Sequence, residues 1–379
     1  MITPFTIAIP QDRLDQINAR VAAFEWYEAP IEGGWGCGAD MAYMRELVAY
    51  WLSAFDWRKA EAALNAWPQF RAEIDGIDLH FYHVKAQKPG RPTILFSHGW
   101  PGSVFEFLHL IGPLIDPAAY GGNGDDAVNV VIPSLPGYGF SGKPARPIGP
   151  RKIASLFNKL MTETLGYPQY IAQGGDWGSL ISAWAGYDFP NACRAIHLNM
   201  VGVRPPPTDI QGEVERVWAD EAQSRFRMGG SYFLQQATKP LTLSYAMMDS
   251  PVGAAAWIVE KFHAWADTGG NIESRFSKDQ LLTNITIYLA TRTFQTATWL
   301  YRGVMEEGSG TLPLGQRVEV PTAIADFPGD TLYATPPRSL VERAYNVKQW
   351  TKFDSGGHFA AMEEPEKFLS DIRTFIRAL

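Results

Sequence analysis

The sequence predicts an α/β fold: a mostly parallel sheet with helices on both faces, a helical lid insertion and an N-terminal extension. Three observations predict it. The apolar runs at 93–97, 128–132, 170–172 and 195–198 are short and closed by Gly/Pro loops, the texture of strands buried on both faces. Helical periodicity near 152–165 and 178–188 alternates with them. Residues 205–315 then offer helical spacing and no strand pattern.

Taken in order, residues 11–25 and 41–67 show amphipathic helical spacing, with Leu47, Trp51 and Phe55 set against Arg45, Glu46 and Arg58. The loop Gly33-Gly34-Trp35-Gly36-Cys37-Gly38 lacks the Lys-Ser/Thr of a phosphate loop and reads as a structural turn. Residues 70–83 alternate on both sides of Asp75-Gly76, a hairpin signal. In the insertion, 252–265 and 281–301 read as helices. A strand at 320–325, a helix near 337–345, a strand at 350–353 and a last helix from Pro365 complete the chain. The expected segments are an N-terminal unit of helices plus hairpin over 1–90, sheet halves over 91–204 and 316–379, and the lid over 205–315.

Composition narrows the function. Of 379 residues, 46% are hydrophobic and 13% aromatic, which supplies a full core and excludes a disordered chain. Thirty-three basic against 40 acidic side chains leave a net charge of −7, the wrong sign for nucleic acid or an anionic membrane. Two cysteines, Cys37 and Cys193, cannot build a disulfide framework or a four-thiolate zinc site, so a reducing, cytoplasmic setting is expected. The N-terminus has no signal-peptide pattern and no apolar run reaches the 18 residues of a membrane span. No metal or organic cofactor, nucleic acid or membrane partner is expected; a homo-oligomer is left open.

The chemistry starts at Gly174-Gly175-Asp176-Trp177-Gly178. Small residues around the central position permit a sharp strand-to-helix turn that thrusts one side chain outward. Here that side chain is a carboxylate. An Asp nucleophile forms an ester with an alkyl carbon, whereas the more usual Ser forms one with an acyl carbon. The plain alternative is an Asp serving as a helix N-cap. The loop His98-Gly99-Trp100-Pro101-Gly102 follows strand 93–97, where the N–H of Trp100 can join that of Trp177 in an oxyanion hole. His98 itself reads as a histidine that ties loops together. His358, in a glycine loop before the last helix, is the only histidine in a late post-strand loop, and Asp330 lies 28 residues earlier. Nucleophile, acid, histidine is the order of the triad in such folds. Asp326 and Asp354 are the rival orienting acids.

These motifs make the chain resemble an α/β-hydrolase-fold epoxide hydrolase of the microsomal-type group. The resemblance runs from the Trp26-Tyr27 to Trp57-Arg58 region through His98–Pro101, Pro136–Ser141, Gly175–Gly178 and Ser250–Gly253 to Gly356–Pro365. It implies that two lid tyrosines hold and protonate an epoxide oxygen, and motif match places them at Tyr232 and Tyr301. The residues alone do not choose these over Tyr245 and Tyr288. It also implies a small hydrophobic epoxide and water as substrates, and a soluble form without the hydrophobic N-terminal anchor of mammalian members. Haloalkane dehalogenases use the same Asp-His-acid set, often with a Trp after the nucleophile as at Trp177, and form the rival reading. A non-catalytic binding protein would show a missing nucleophile, base or tyrosine, and none is missing. The aromatic lid residues Trp257, Trp265, Phe294 and Trp299 read as core or as pocket wall with equal ease.

Overall fold

The computed structural model describes residues 1–28 and 33–379. Three strands come from the N-terminal region: β1 (Ile2–Pro4), β2 (Gln69–Ile74) and β3 (Ile77–Val84). Then follow β4 (Thr93–Ser97), β5 (Asn129–Pro133), β6 (Tyr170–Gly174), β7 (Cys193–Leu198), β8 (Val318–Asp326) and β9 (Tyr345–Lys352). They form one sheet in the order β1-β2-β3-β5-β4-β6-β7-β8-β9. Pairing is antiparallel from β1 to β5 and parallel from β5 through β4 to β9.

The expected hairpin turns at Asp75 and Gly76, both with positive φ (49° and 78°), the combination that matches strand twist in a two-residue turn. Asp75 is anchored there by Lys152 and Lys159 at 2.8 and 2.7 Å. In the central strands alternate residues serve opposite faces. Leu95 and Val131 enter one hydrophobic cluster, while Ile94, Phe96, Val130 and Ile132 enter the other. Both faces are covered, which is why these runs are apolar throughout instead of alternating. On one face lie α5 (Pro150–Lys159) and α6 (Asp176–Asp188); on the other lie α4 (Ile111–Ile115), α14 (Ala360–Glu363) and α15 (Pro365–Arg377). Helix α13 (Arg338–Ala344) links β8 to β9, which begins five residues earlier than the sequence suggests.

Two expected helices are each broken in two. The region 41–67 splits into α2 (Met41–Ser53) and α3 (Trp57–Leu64), because Asp56 caps a new helix by accepting from the N–H groups of Arg58 and Lys59. The stretch 281–301 splits into α11 (Lys278–Thr291) and α12 (Phe294–Glu307) at Arg292, a left-handed C-cap with φ 55°. Upstream are α7 (Gly212–Gly229), α8 (Ser231–Thr238), α9 (Pro240–Asp249) and α10 (Pro251–Trp265). The sequence anticipated only α10 of these, and it missed β1, a three-residue edge strand.

The helical layer is tied to loops that leave the strands. Asn284 and Tyr288 of α11 donate to the carbonyls of Pro101 and Gly102 after β4, and Tyr138 after β5 donates to Ala297 of α12. Helix α1 (Gln11–Ala22) and helix α2 pack against α11, with Lys278 paired to Glu46 and Tyr50 donating to Asp279. The glycine loop at 33–38 presents Trp35, which stacks on His263 of α10 at 3.9 Å. The N-terminal region therefore buttresses the lid.

Candidate functional site

At the end of β6 the chain turns sharply into α6, and glycine is required on both sides. A Cβ on Gly174 would lie 2.1 Å from the Gly178 carbonyl, and one on Gly178 would lie 1.8 Å from the Ser97 carbonyl. Asp176 sits at φ 45°, a left-handed conformation that costs a non-glycine residue on the order of 1–3 kcal/mol and persists only where neighbours enforce it. The N-cap of α6 is Gly175, with no side-chain capping bond, so Asp176 is not acting as a cap. Its Oδ1 instead accepts from the Trp100 N–H at 2.8 Å, and its side chain is 12% exposed. Gly99 leaves room for that carboxylate.

The late loops bring in a histidine and an acid. His358 Nδ1 lies 2.7 Å from Asp330 Oδ2, while its Nε2 faces Asp176 Oδ2 at 3.2 Å. The acid loop and the histidine loop are joined by the Gly329 N–H donating to the Gly356 carbonyl, and the His358 N–H donates to the Trp265 carbonyl at the end of α10. Gly357 allows that approach, since a Cβ there would sit 2.8 Å from the Trp265 carbonyl. Of the rival acids, Asp354 is exposed and paired with Lys367, and the Asp326 carbonyl accepts from Phe353. His98 bridges loops: its Nδ1 meets the Gly99 carbonyl and its Nε2 accepts from the Leu135 N–H. Burial pushes His98 down to about 4, so it stays neutral.

Burial also works against protonation of His358, but the charges of Asp330 and Asp176 outweigh it, and its pKa is raised well above the usual value. His358 therefore holds its second proton in the resting site. Burial raises Tyr232 and Tyr301 well above the ordinary phenol value, with the Asp176 charge adding to the effect, so both keep their protons.

A cavity of about 840 Å³ opens above Asp176, lined by Trp177, Tyr232, Phe233, Tyr301 and Tyr333 among others. Tyr232 and Tyr301 thus share one chamber with Asp176. Tyr245 is 84% exposed, and Tyr288 is buried but spent on the Gly102 carbonyl. The Tyr301 hydroxyl and the Trp177 indole N–H lie beside each other, their ring centroids 4.7 Å apart, and neither makes a hydrogen bond of ordinary geometry with a described residue. Behind Asp176 lies a second void of about 10 Å³, bounded by His358, Glu106, Gly99 and Asn199, which is room for one water molecule. Burial pushes the Glu106 carboxyl up to about 8.

Of the lid aromatics, Trp265 packs on His358, Tyr232 and Trp100, with ring centroids 5.0, 5.1 and 6.2 Å apart. Phe294 is core, and the apolar wall comes from Phe226, Phe233 and Trp218 instead. Tyr333 and Glu106 escaped sequence reasoning. Tyr333 sits three residues after Asp330, and a tyrosine so close to an expected triad acid was the available signal. Glu106 carried none, because only the fold turns it toward the histidine. Among the described residues no cluster of metal-ligating side chains occurs, and no helix is long and apolar enough to cross a membrane.

Comparison with known proteins bears on the family and the fold. Residues 2–107 match the family model for the epoxide hydrolase N terminus, and residues 92–253 match that for the alpha/beta hydrolase fold. A protein of Stigmatella aurantiaca (strain DW4/3-1), whose name also refers to an epoxide hydrolase, is 41% identical over 100% of this chain and 85% of its own. Epoxide hydrolase 1 of Sus scrofa is 33% identical over 100% of this chain and 89% of its own. The crystal structure of juvenile hormone epoxide hydrolase from the silkworm Bombyx mori superposes with a TM-score of 0.88 at 29% identity, covering 100% of this chain and 94% of that one.

Proposed function

The chain belongs to the epoxide hydrolase family, and we propose that it opens a hydrophobic epoxide to a vicinal diol through a covalent ester on Asp176. The observation that carries this reading is the placement of one carboxylate between a backbone N–H and an imidazole, at the floor of an apolar cavity with two buried phenols. The Asp176 oxygen attacks an epoxide carbon while Tyr232 and Tyr301 hydrogen-bond the developing alkoxide. A phenol is a weak acid, but an alkoxide is a strong enough base to take its proton.

Attack turns Asp176 into a neutral ester. One of the two charges that hold His358 protonated then vanishes, so the histidine loses proton affinity just when a base is needed. His358, held by Asp330, first releases its extra proton by way of the cavity and then takes one from a water seated in the small void behind Asp176. The hydroxide adds to the ester carbonyl, and the resulting oxyanion meets the N–H groups of Trp100 and Trp177. Collapse releases the diol and restores the carboxylate. These steps use side chains and backbone groups of this chain alone.

A single turnover with styrene oxide in water enriched in heavy oxygen tests this. The first diol should carry unlabelled oxygen from Asp176, and the label should appear in the Asp176 peptide. Label in the first diol and none in the peptide would mean direct attack by water. One observation keeps the dehalogenase alternative in play, the unpartnered indole N–H of Trp177 at the cavity wall, a donor that would suit a halide. Halide release from a chloroalkane, with no diol from styrene oxide, would favour it.

A further inference from the structure

The Tyr333 hydroxyl lies 2.6 Å from the Tyr232 hydroxyl, and the Tyr333 N–H donates to Asp330 Oδ1 at 2.9 Å. One residue therefore touches both the acid that orients the histidine and a phenol of the cavity. Between two phenols only one proton can lie in the shared hydrogen bond. If Tyr232 donates, its proton is spent within the protein. If Tyr333 donates, the Tyr232 proton is left for a ligand in the cavity. Tyr301 differs, because no second phenol meets its hydroxyl; the Trp177 indole N–H lies beside it without a hydrogen bond of ordinary geometry.

Resting on the epoxide-opening reading above, we propose that Tyr333 is a positioning residue that donates its hydroxyl proton to Tyr232 and thereby makes Tyr232, not Tyr301, the phenol that transfers a proton to the epoxide oxygen. As the Asp176–carbon bond forms, the carbon–oxygen bond breaks and its electron pair stays on oxygen. That oxygen takes the Tyr232 proton, and Tyr232 becomes a phenolate that accepts from Tyr333 and from no other side chain among the described residues. The proton that His358 gives up before acting as base restores Tyr232, and the proton His358 takes from water returns it to the imidazolium as the Asp176 carboxylate reforms. Tyr301 hydrogen-bonds the epoxide oxygen and keeps its own proton.

On top of burial, the shared hydrogen bond raises Tyr232 and lowers Tyr333 in the resting site, which makes Tyr333 the more acidic phenol and so the stronger hydrogen-bond donor of the pair. Lys261 Nζ lies 4.8 Å over the Tyr232 ring, and Arg204 acts on Tyr333 from the other side chains of the cavity wall. Glu260 pairs with Lys261 and so offsets part of its field. Tyr301 and Asp176 face Tyr232, while Asp330 and Asp176 face Tyr333. Asp176 is the anion that would oppose a phenolate. It becomes neutral in the same step that creates the phenolate, so negative charge moves from one residue to the other without accumulating.

The test is rapid-mixing mass spectrometry of the Asp176 ester with styrene oxide, comparing Y333F, Y232F, Y301F and Y232F/Y333F. Loss of a hydrogen bond to a charged oxygen predicts that Y333F slows ester formation by about 10–100-fold. Ester hydrolysis should stay within threefold, a split that general loosening of the site would not give. Y232F should be slower than Y301F by at least tenfold, and adding Y333F to Y232F should cost less than threefold more. The proposal is overturned if Y333F forms ester within threefold of the parent, slows both steps alike, or keeps its full effect in the Y232F background. It is also overturned if Y301F is the slower single variant. Should Y333F fail to fold, 3-fluorotyrosine at 333, a more acidic donor of nearly the same shape, should speed ester formation at least twofold at pH 7, and an unchanged or slower rate overturns the proposal. Absence of any ester in the parent protein would instead remove the underlying reading, so the two failures are distinguishable.

Discussion

Gly99→Ala places one methyl group against the nucleophile and should impair ester formation more than stability. A Cβ built on Gly99 lies 2.1 Å from Asp176 Oδ1 and 2.4 Å from its Cβ, whereas ordinary contact begins at 3.4 Å. The carboxylate must therefore retreat by about 1.3 Å, and it cannot do so while keeping its 2.8 Å bond from the Trp100 N–H. Misplacement by about 1 Å costs roughly a hundredfold in rate, equivalent to about 2.7 kcal/mol of barrier. The contact at Asp176 Cβ cannot be relieved by rotating the side chain, so the elbow backbone must shift as well and the unfolding midpoint should fall. Gly178→Ala differs, because its Cβ would meet the Ser97 carbonyl at 1.8 Å and should damage the fold itself. The assay is the rate of ester formation on Asp176 with styrene oxide, alongside the urea unfolding midpoint. Ester formation within threefold of the parent, with an unchanged midpoint, would refute the view that the Gly99 gap positions the nucleophile.

His358→Gln should allow the first step and block the second, so the Asp176 peptide gains the mass of the epoxide; loss of turnover without that adduct would remove His358 as the base. Asp176→Asn deletes one of the charges that raise the His358 pKa, so its imidazole should titrate at lower pH than in the parent by NMR. The same raised pKa has a stability consequence. Its contribution is fully present below the unfolded value of about 6.5 and is lost as pH rises through the raised folded value. The unfolding midpoint of the parent relative to Asp330→Asn should therefore fall steadily from pH 6 toward alkaline pH; a flat difference would contradict the pairing. Ser277→Ala removes the capping box of α11 and should cost about 1 kcal/mol in urea unfolding.

Much of this protein is local in origin and so was legible without coordinates. The hairpin at Asp75-Gly76, the glycine elbow around Asp176 and the late loops holding Asp330 and His358 each depend on residue types within a few positions of one another. Turn chemistry, strand texture and chain order are short-range properties, and they sufficed to place an Asp, a His and an acid at the ends of parallel strands. The helix breaks at Asp56 and Arg292 were missed because apolar spacing continues through them, and only a cap or a left-handed residue marks the division.

What the tertiary structure alone decided are the contacts made between elements far apart in sequence. Tyr232 and Tyr301 are separated from Tyr245 and Tyr288 by which helix face meets the cavity, and packing sets that face. Tyr333 reaches Tyr232 across 101 residues, and Glu106 approaches His358 only because the 3-10 turns of Val104–Leu110 after β4 fold it beneath the histidine loop. The acidity of each group follows from the same source. Neighbouring carboxylates raise His358 against the effect of burial, whereas burial prevails at His98 and lowers it, and neither outcome is written in the identity of a histidine. Residue types determined which chemistry was available to this chain; burial and distance, which only the folded chain possesses, determined which residues could take part in it.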